Sequence, residues 1–175
     1  GNYAAQAALT TSATDVITYT VTGAITVANF DTLNGETAGN ITIGGTVSGT
    51  AAEFAATNGT ATASLTAMDA QNTNFNVTTT DATNVAQFDA ITAKDGTGTL
   101  TVNSVADTIA NLTPSNAAHG LFTVNDGIAV ALTAATITNV TLINLIKAAT
   151  SGDVSCTVSG TAAVLQGLSA STTDT

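Results

Sequence analysis

A mainly β fold, built as a parallel β-solenoid-like repeat with short helical turns, is what the sequence predicts, and three observations carry that expectation. The heptapeptide TVSGTAA occurs twice, at residues 46–52 and 157–163, and internal repetition points to stacked supersecondary units. Short apolar clusters recur as well: VANF at 27–30, AAEF at 51–54, VAQF at 85–88, IANL at 109–112, LINL at 142–145 and AAVL at 162–165. Their spacings, from about 20 to about 34 residues, fall in the range of repeat arrays. Composition is the third observation. Hydrophobic residues make up 44% of the 175 and charged residues only 8%, against about 25% charged in an ordinary soluble domain. Runs of β-branched Thr, Val and Ile favour extended, folded chain over disorder. The alternative is a β-sandwich filled by the same residues, but a sandwich does not require the recurring order of strand, turn and apolar cluster.

Taken in order, residues 1–23 precede the first clear unit and read as a cap or a donated strand, with the Ala-rich stretch 1–13 lacking a place in the repeat. Strands are expected at 16–21, 24–27, 41–47, 61–65, 75–79, 99–102, 121–124, 128–132, 136–142 and 154–158. Alternation such as Ile41 with Ile43, or Leu100 with Val102, turns one face inward and leaves Thr outside. Turn signals separate these runs at Asn34-Gly35, Asn58-Gly59, Asp95-Gly96, Asp126-Gly127 and Ser151-Gly152. The clusters after the strands have helical spacing instead, as in Ala51, Phe54 and Ala55 or Val85, Phe88 and Ile91. Thr50 with Glu53 fits a capping box, and Asn84 with Gln87 is a weaker version. Helices of a turn or two lie below the roughly 12 residues of marginal stability, so they must pack on neighbours. Phe30, Phe54, Phe88, Leu112, Leu145 and Leu165 would then stack as an internal ladder. No Pro-rich or charge-rich linker divides the chain, so 1–175 reads as a single β-rich repeat domain.

The formal net charge is −10, with Lys94 and Lys147 the only Lys or Arg residues. That excludes nucleic acid as a partner, since phosphate binding needs clustered cations, and it argues against anionic membrane surfaces. The longest apolar stretch, 128–146, is broken throughout by Thr and Asn, so no membrane insertion is expected. Without an initiator Met or a signal peptide, the chain is expected to be a processed piece. The lone Cys156 has no partner for an internal disulfide, and its neighbours Val154 and Val158 predict a buried structural thiol in a strand.

Catalytic parts are missing. The one His, His119, stands beside Gly120 in an expected loop with no GxSxG or Cys-containing signature near it. Neither Lys lies in a GK[ST] segment, and one His with one Cys cannot close a tetrahedral zinc site. No enzyme activity is expected. The carboxylates are dispersed singly, but Asp31 and Asp89 follow the equivalent Phe30 and Phe88, and Asp95 opens a turn. Stacked acids in so cation-poor a chain repel one another unless exposed or bridged by a hard cation. Asp31, Asp89 and Asp95 are therefore the candidate Ca²⁺ ligands, and no other cofactor is expected. Five N-x-T sequons, at Asn40, Asn58, Asn76, Asn111 and Asn139, are close to the roughly four that such a composition yields by chance. The Thr-rich faces lack the regular TxT array that an ice-binding surface needs.

Units such as LTVNSVADTIANL at 100–112 and VSCTVSGTAAVL at 154–165 resemble the β-strand repeats of very large secreted bacterial surface proteins, including cyanobacterial cell-surface, S-layer-like and large adhesin types. The resemblance runs from about residue 24 onward. It implies an extracellular structural or adhesive role and offers no catalytic residue to carry over. Calcium often accompanies such proteins, yet the nonapeptide GGxGxDxUx is absent and KDGTG at 94–98 reads as a plain turn. The expectation is a secreted or cell-surface structural protein that self-assembles into a filament, sheath or surface layer, with copies of itself as partner. The alternative is an adhesin module that binds glycan or another cell surface. Against it stands the scarcity of aromatic platforms, with no Trp and only Tyr3 and Tyr19 beside the Phe residues.

Overall fold

Threonine decides where extended chain turns into helix in this protein. In the computed structural model, which describes residues 1–134 and 136–169, Thr26, Thr50, Thr62, Thr108 and Thr161 all have extended backbone. Each accepts a hydrogen bond at its side chain from the amide three residues on. That is N-cap geometry, worth about 1 kcal/mol per helix. At Thr50 the capping box closes fully, with the Glu53 carboxylate accepting from the Thr50 amide at 2.6 Å.

The elements run in chain order α1 (Tyr3–Ala7), β1 (Tyr19–Val21), β2 (Ile25–Thr26), α2 (Val27–Glu36), β3 (Ile41–Ile43), β4 (Thr46–Gly49), α3 (Ala51–Phe54), α4 (Ala63–Gln71), β5 (Asn76–Thr79), β6 (Ala82–Thr83), α5 (Val85–Thr92), β7 (Leu100–Thr101), β8 (Ser104–Asp107), α6 (Ile109–Leu112), α7 (Leu121–Val124), β9 (Ala129–Leu132), α8 (Val140–Ala149), β10 (Val154–Ser155) and α9 (Ala162–Leu165). A 3-10 turn at Pro114–Asn116 lies between α6 and α7.

The expectation of a mainly β, solenoid-like fold is corrected by this order. Among the described residues the protein is mixed α/β, 36% helical and 20% strand, and its strands form three separate open sheets with helices interleaved. The sandwich alternative falls too, because the named strands pair in parallel and a sandwich is antiparallel. Three expected strands are helical in whole or part: residues 63–65 of 61–65 open α4, 121–124 is α7, and residues 140–142 of 136–142 open α8. The physical reason is local. Short Thr- and Ala-rich runs have no decisive period, and caps at Thr62 and Asn139 supply the acceptor that starts a helix. Asn34-Gly35, read as a turn, lies inside α2, whereas the Gly residues of three other turn signals, Gly59, Gly96 and Gly127, do take positive φ of 83°, 70° and 84°.

The chain forms two compact units, one of Gly1–Thr80 with Ala86–Thr101, the other of Asp81–Val85 with the chain from Val102 onward. In the first, β1 pairs β3, and a second sheet has the order β2-β4-β5-β7. Its register stacks Ile25, Val47, Val77 and Leu100 in one column, all buried, and beside it runs the hydroxyl column Thr26, Ser48, Thr78 and Thr101. The period of two along a strand makes these opposite faces. In the second unit the order is β6-β8-β9-β10, and Thr83, Val105, Val130 and Val154 form the buried column. Of the expected helix ladder, Phe30, Phe54, Phe88 and Leu112 are buried. Leu145 is only half-buried, Leu165 is exposed, and α8 turns Ile143 and Ile146 inward instead.

Helix ends carry a second recurring device. Thr37, Asn72, Asn125 and Thr150 are the C-caps of α2, α4, α7 and α8, and all four are buried. Each side chain bonds the backbone of the strand region before it. Thr37 Oγ1 donates to Ile17 O and accepts from the Ile17 amide. Asn72 donates to Ile41 O and accepts from the Ile43 amide at 2.8 Å. Asn125 accepts from the Val102 amide, and Thr150 donates to Ile128 O. Pairing lowers the cost of burying a polar group, and these pairs fix how successive segments align, although Asn125 Nδ2 is buried with no partner among the described residues. The 1–23 segment bonds within its own chain: the Gly1 amino group and Gln6 Nε2 both donate to Thr20 O at 2.7 Å, and the Thr22 amide donates to Gly1 O.

Candidate functional site

The three acids expected to share a cation stand on separate elements. Asp31 is on α2, exposed, and accepts a hydrogen bond from Ser64 Oγ at 2.8 Å. Asp89 is on α5, also exposed. Asp95 follows α5 and is 2% exposed, and desolvation raises its carboxyl to about 6, opposed only in part by a backbone hydrogen bond. Among the described residues no group of three or more His, Cys, Asp or Glu side chains is placed to hold a metal ion. Asp174, the last acid, lies outside the described residues.

Lys94, Lys147 and His119 have structural roles, whereas Glu36 Oε2 is buried with no hydrogen-bond partner among the described residues. Lys94 Nζ lies 2.8 Å from Asp69 Oδ2, and Lys147 sits in the last turn of α8, where a cation complements the helix dipole. His119, half-buried, accepts the Leu121 amide at Nδ1, so the imidazole serves the start of α7 in place of a side-chain cap. Cys156 falls one residue beyond β10 rather than inside a strand and is half-buried. Desolvation pushes its thiol pKa up, and Lys147 pulls it back. Among the described residues no helix is long and apolar enough to cross a membrane. All five sequon Asn residues are exposed.

Two concave regions are lined wholly by described residues. One, of about 560 Å³, lies along α8 against the 3-10 turn and is lined by Asn116, Asn139, Leu142, Asn144 and Leu145 among others. The other, of about 230 Å³, lies in the first unit beside Gly44 and Gly45, between Asn74 and Thr97. Neither lining includes an ionisable side chain.

The feature that stands out is the repeated heptapeptide. Its two copies have one local conformation: extended chain through Val47 or Val158, a Thr cap at Thr50 or Thr161, then a four-residue helix, α3 or α9. Their surroundings differ. The first copy lies between two strands, with Val47 opposite Ile25 on one side and Val77 on the other. Among the described residues the second has a partner on one side only, the parallel bridge from Val158 to Ile137. Phe54, which ends α3, is 0% exposed, whereas its counterpart Leu165 is 39% exposed and Val164 37%. Among the described residues, an uncovered strand edge therefore lies next to uncovered apolar side chains. The repeat was legible as letters, but its two environments were not, because burial is set by neighbours distant in sequence. No family model, curated protein or solved structure matches the chain.

Proposed function

We propose that the chain is an extracellular structural module that associates with copies of itself, as the subunit of a filament, sheath or surface layer. The observation that carries this reading is the contrast between the two TVSGTAA copies. One motif with one conformation is paired on both sides in the first unit and, among the described residues, on one side in the second. A strand edge left open in this way is a template for another strand. The dispersed acids and the grooves without ionisable groups favour a structural over a chemical role. The extracellular setting rests on composition, with two cations, one Cys and abundant Thr and Asn, and on the likeness of its repeat units to secreted bacterial surface proteins.

Sedimentation velocity across a concentration series, followed by electron microscopy of the largest species, tests the proposal. Species that grow with concentration and form ordered particles are the expected result. A single monomeric species at every concentration overturns it.

A further inference from the structure

We infer that the open edge at residues 157–160 takes a parallel strand from β2 of a second copy, so that association runs head to tail. This rests on the self-association reading and names the two surfaces that meet. The first TVSGTAA copy supplies the template. There the Thr80 amide donates to Gly49 O at 2.9 Å, so the backbone groups of Val47 and Gly49 turn toward β5 and those of Thr46 and Ser48 turn toward β2, as alternation in a parallel ladder requires. In the second copy the Ile137 amide donates to Thr157 O at 2.8 Å and the Ser159 amide donates to Ile137 O at 3.0 Å. Thr157 and Ser159 therefore face Ile137, which stands where Ile25 stands in the first copy. Val158 and Gly160 face the other way, and their backbone groups have no hydrogen bond among the described residues. Among the described residues, none fills beside the second copy the place that Val77 fills beside the first.

β2 has the complementary deficit. It is the outer strand of the order β2-β4-β5-β7. Because Thr46 and Ser48 face it, Ile25 spends its backbone groups on β4, and Ala24 and Thr26 turn outward by the same alternation. Ala24 is exposed, with no hydrogen bond among the described residues. Docking in parallel with Val158 opposite Ile25 of the second copy lets the Val158 amide donate to Ala24 O and Val158 O accept the Thr26 amide. The same register keeps Val158 and Ile25 on the apolar face and sets Ser159 beside Thr26, which repeats the Ser48–Thr26 pair of the first unit. Stretches 154–165 and 23–30 also contain no charged residue. Edge strands that must stay single usually carry charges or Pro, and neither of these does.

Cross-linking tests the pairing directly. In a Cys156→Ser background, one full-length chain carries Ala24→Cys and another carries Thr157→Cys; both positions are exposed, and register-paired residues on neighbouring strands lie within disulfide reach. The mixture is expected to form the mixed disulfide at least tenfold faster than either variant alone. Val158→Pro, which removes an unbonded amide, is expected to weaken association at least tenfold with an unchanged circular dichroism spectrum. Assembly of the parent chain without the mixed disulfide, or without sensitivity to Val158→Pro, overturns the β2 assignment and leaves self-association standing. A parent chain that sediments as monomer throughout overturns both.

Discussion

The two TVSGTAA copies share seven residues and a conformation, and what separates them is the company they keep. In the first, Val47, Ala51 and Phe54 are fully buried; in the second, Val158 is half-buried and Ala162 and Leu165 are exposed. The Thr cap, which is local, is satisfied in both. Local chemistry therefore sets the strand-to-helix switch, and the neighbouring segment sets whether the apolar side chains contribute stability. Burial of a side chain such as Phe54 is worth about 2 to 3 kcal/mol, which the second copy gains only when something covers it.

That comparison can be broken most forcefully at its largest side chain. Phe54→Ala should cost about 3–5 kcal/mol in urea unfolding, from lost burial and the cavity left behind, whereas Leu165→Ala should change the stability of dilute protein by less than about 1 kcal/mol. Equal losses would mean that the second copy is as well covered as the first. The buried helix-end residues offer the next test. Asn72→Ala strands the Ile43 amide and Ile41 carbonyl that the side chain bonds, and a loss of about 2 kcal/mol is expected.

Asp95 sharpens the comparison of helix ends, since it lies buried after α5 as Asn72 and Asn125 do after α4 and α7, yet it is ionisable. Its carboxyl titrates near 6 in the folded chain, above the ordinary 3.8, so between these values the folded state binds more protons than the unfolded one. Stability is then greatest below the ordinary value, falls as pH rises through the window, and is lowest above 6, a drop of about 3 kcal/mol. Asp95→Asn should remove that slope and stabilise the protein at pH 7; an unchanged pH profile would count against a desolvated carboxylate. The smallest expected effects lie at the caps. Thr50→Ala should cost about 1 kcal/mol of global stability, and Thr161→Ala should fray only α9, visible as faster amide exchange there with unfolding midpoints unmoved.

The helices at three clusters were legible, because Phe30, Phe54 and Phe88 each end a cluster with helical spacing and the Thr50–Glu53 box announces its own cap. The chain at 61–65 and 121–124 was not. ATASL and LFTV are short enough to fit a strand, and only the Thr62 cap and the His119 ring that receives the Leu121 amide decide otherwise. The acids illustrate the limit at the site. Asp31 and Asp89 follow equivalent Phe residues in the sequence, yet each sits on the exposed face of its own helix, so equivalence along the chain did not become a cluster in space. The strand order was also hidden, because parallel partners such as Val47 and Val77 are linked through whole helices and leave no local signal.

Amide hydrogen exchange resolved to the two copies tests the central claim most directly. At low concentration the Val47 and Gly49 amides should be strongly protected and those of Val158 and Gly160 should exchange nearly as fast as free chain, with protection at Val158 rising as concentration increases. Equal, concentration-independent protection of both copies in dilute protein would contradict an open edge at residues 157–160.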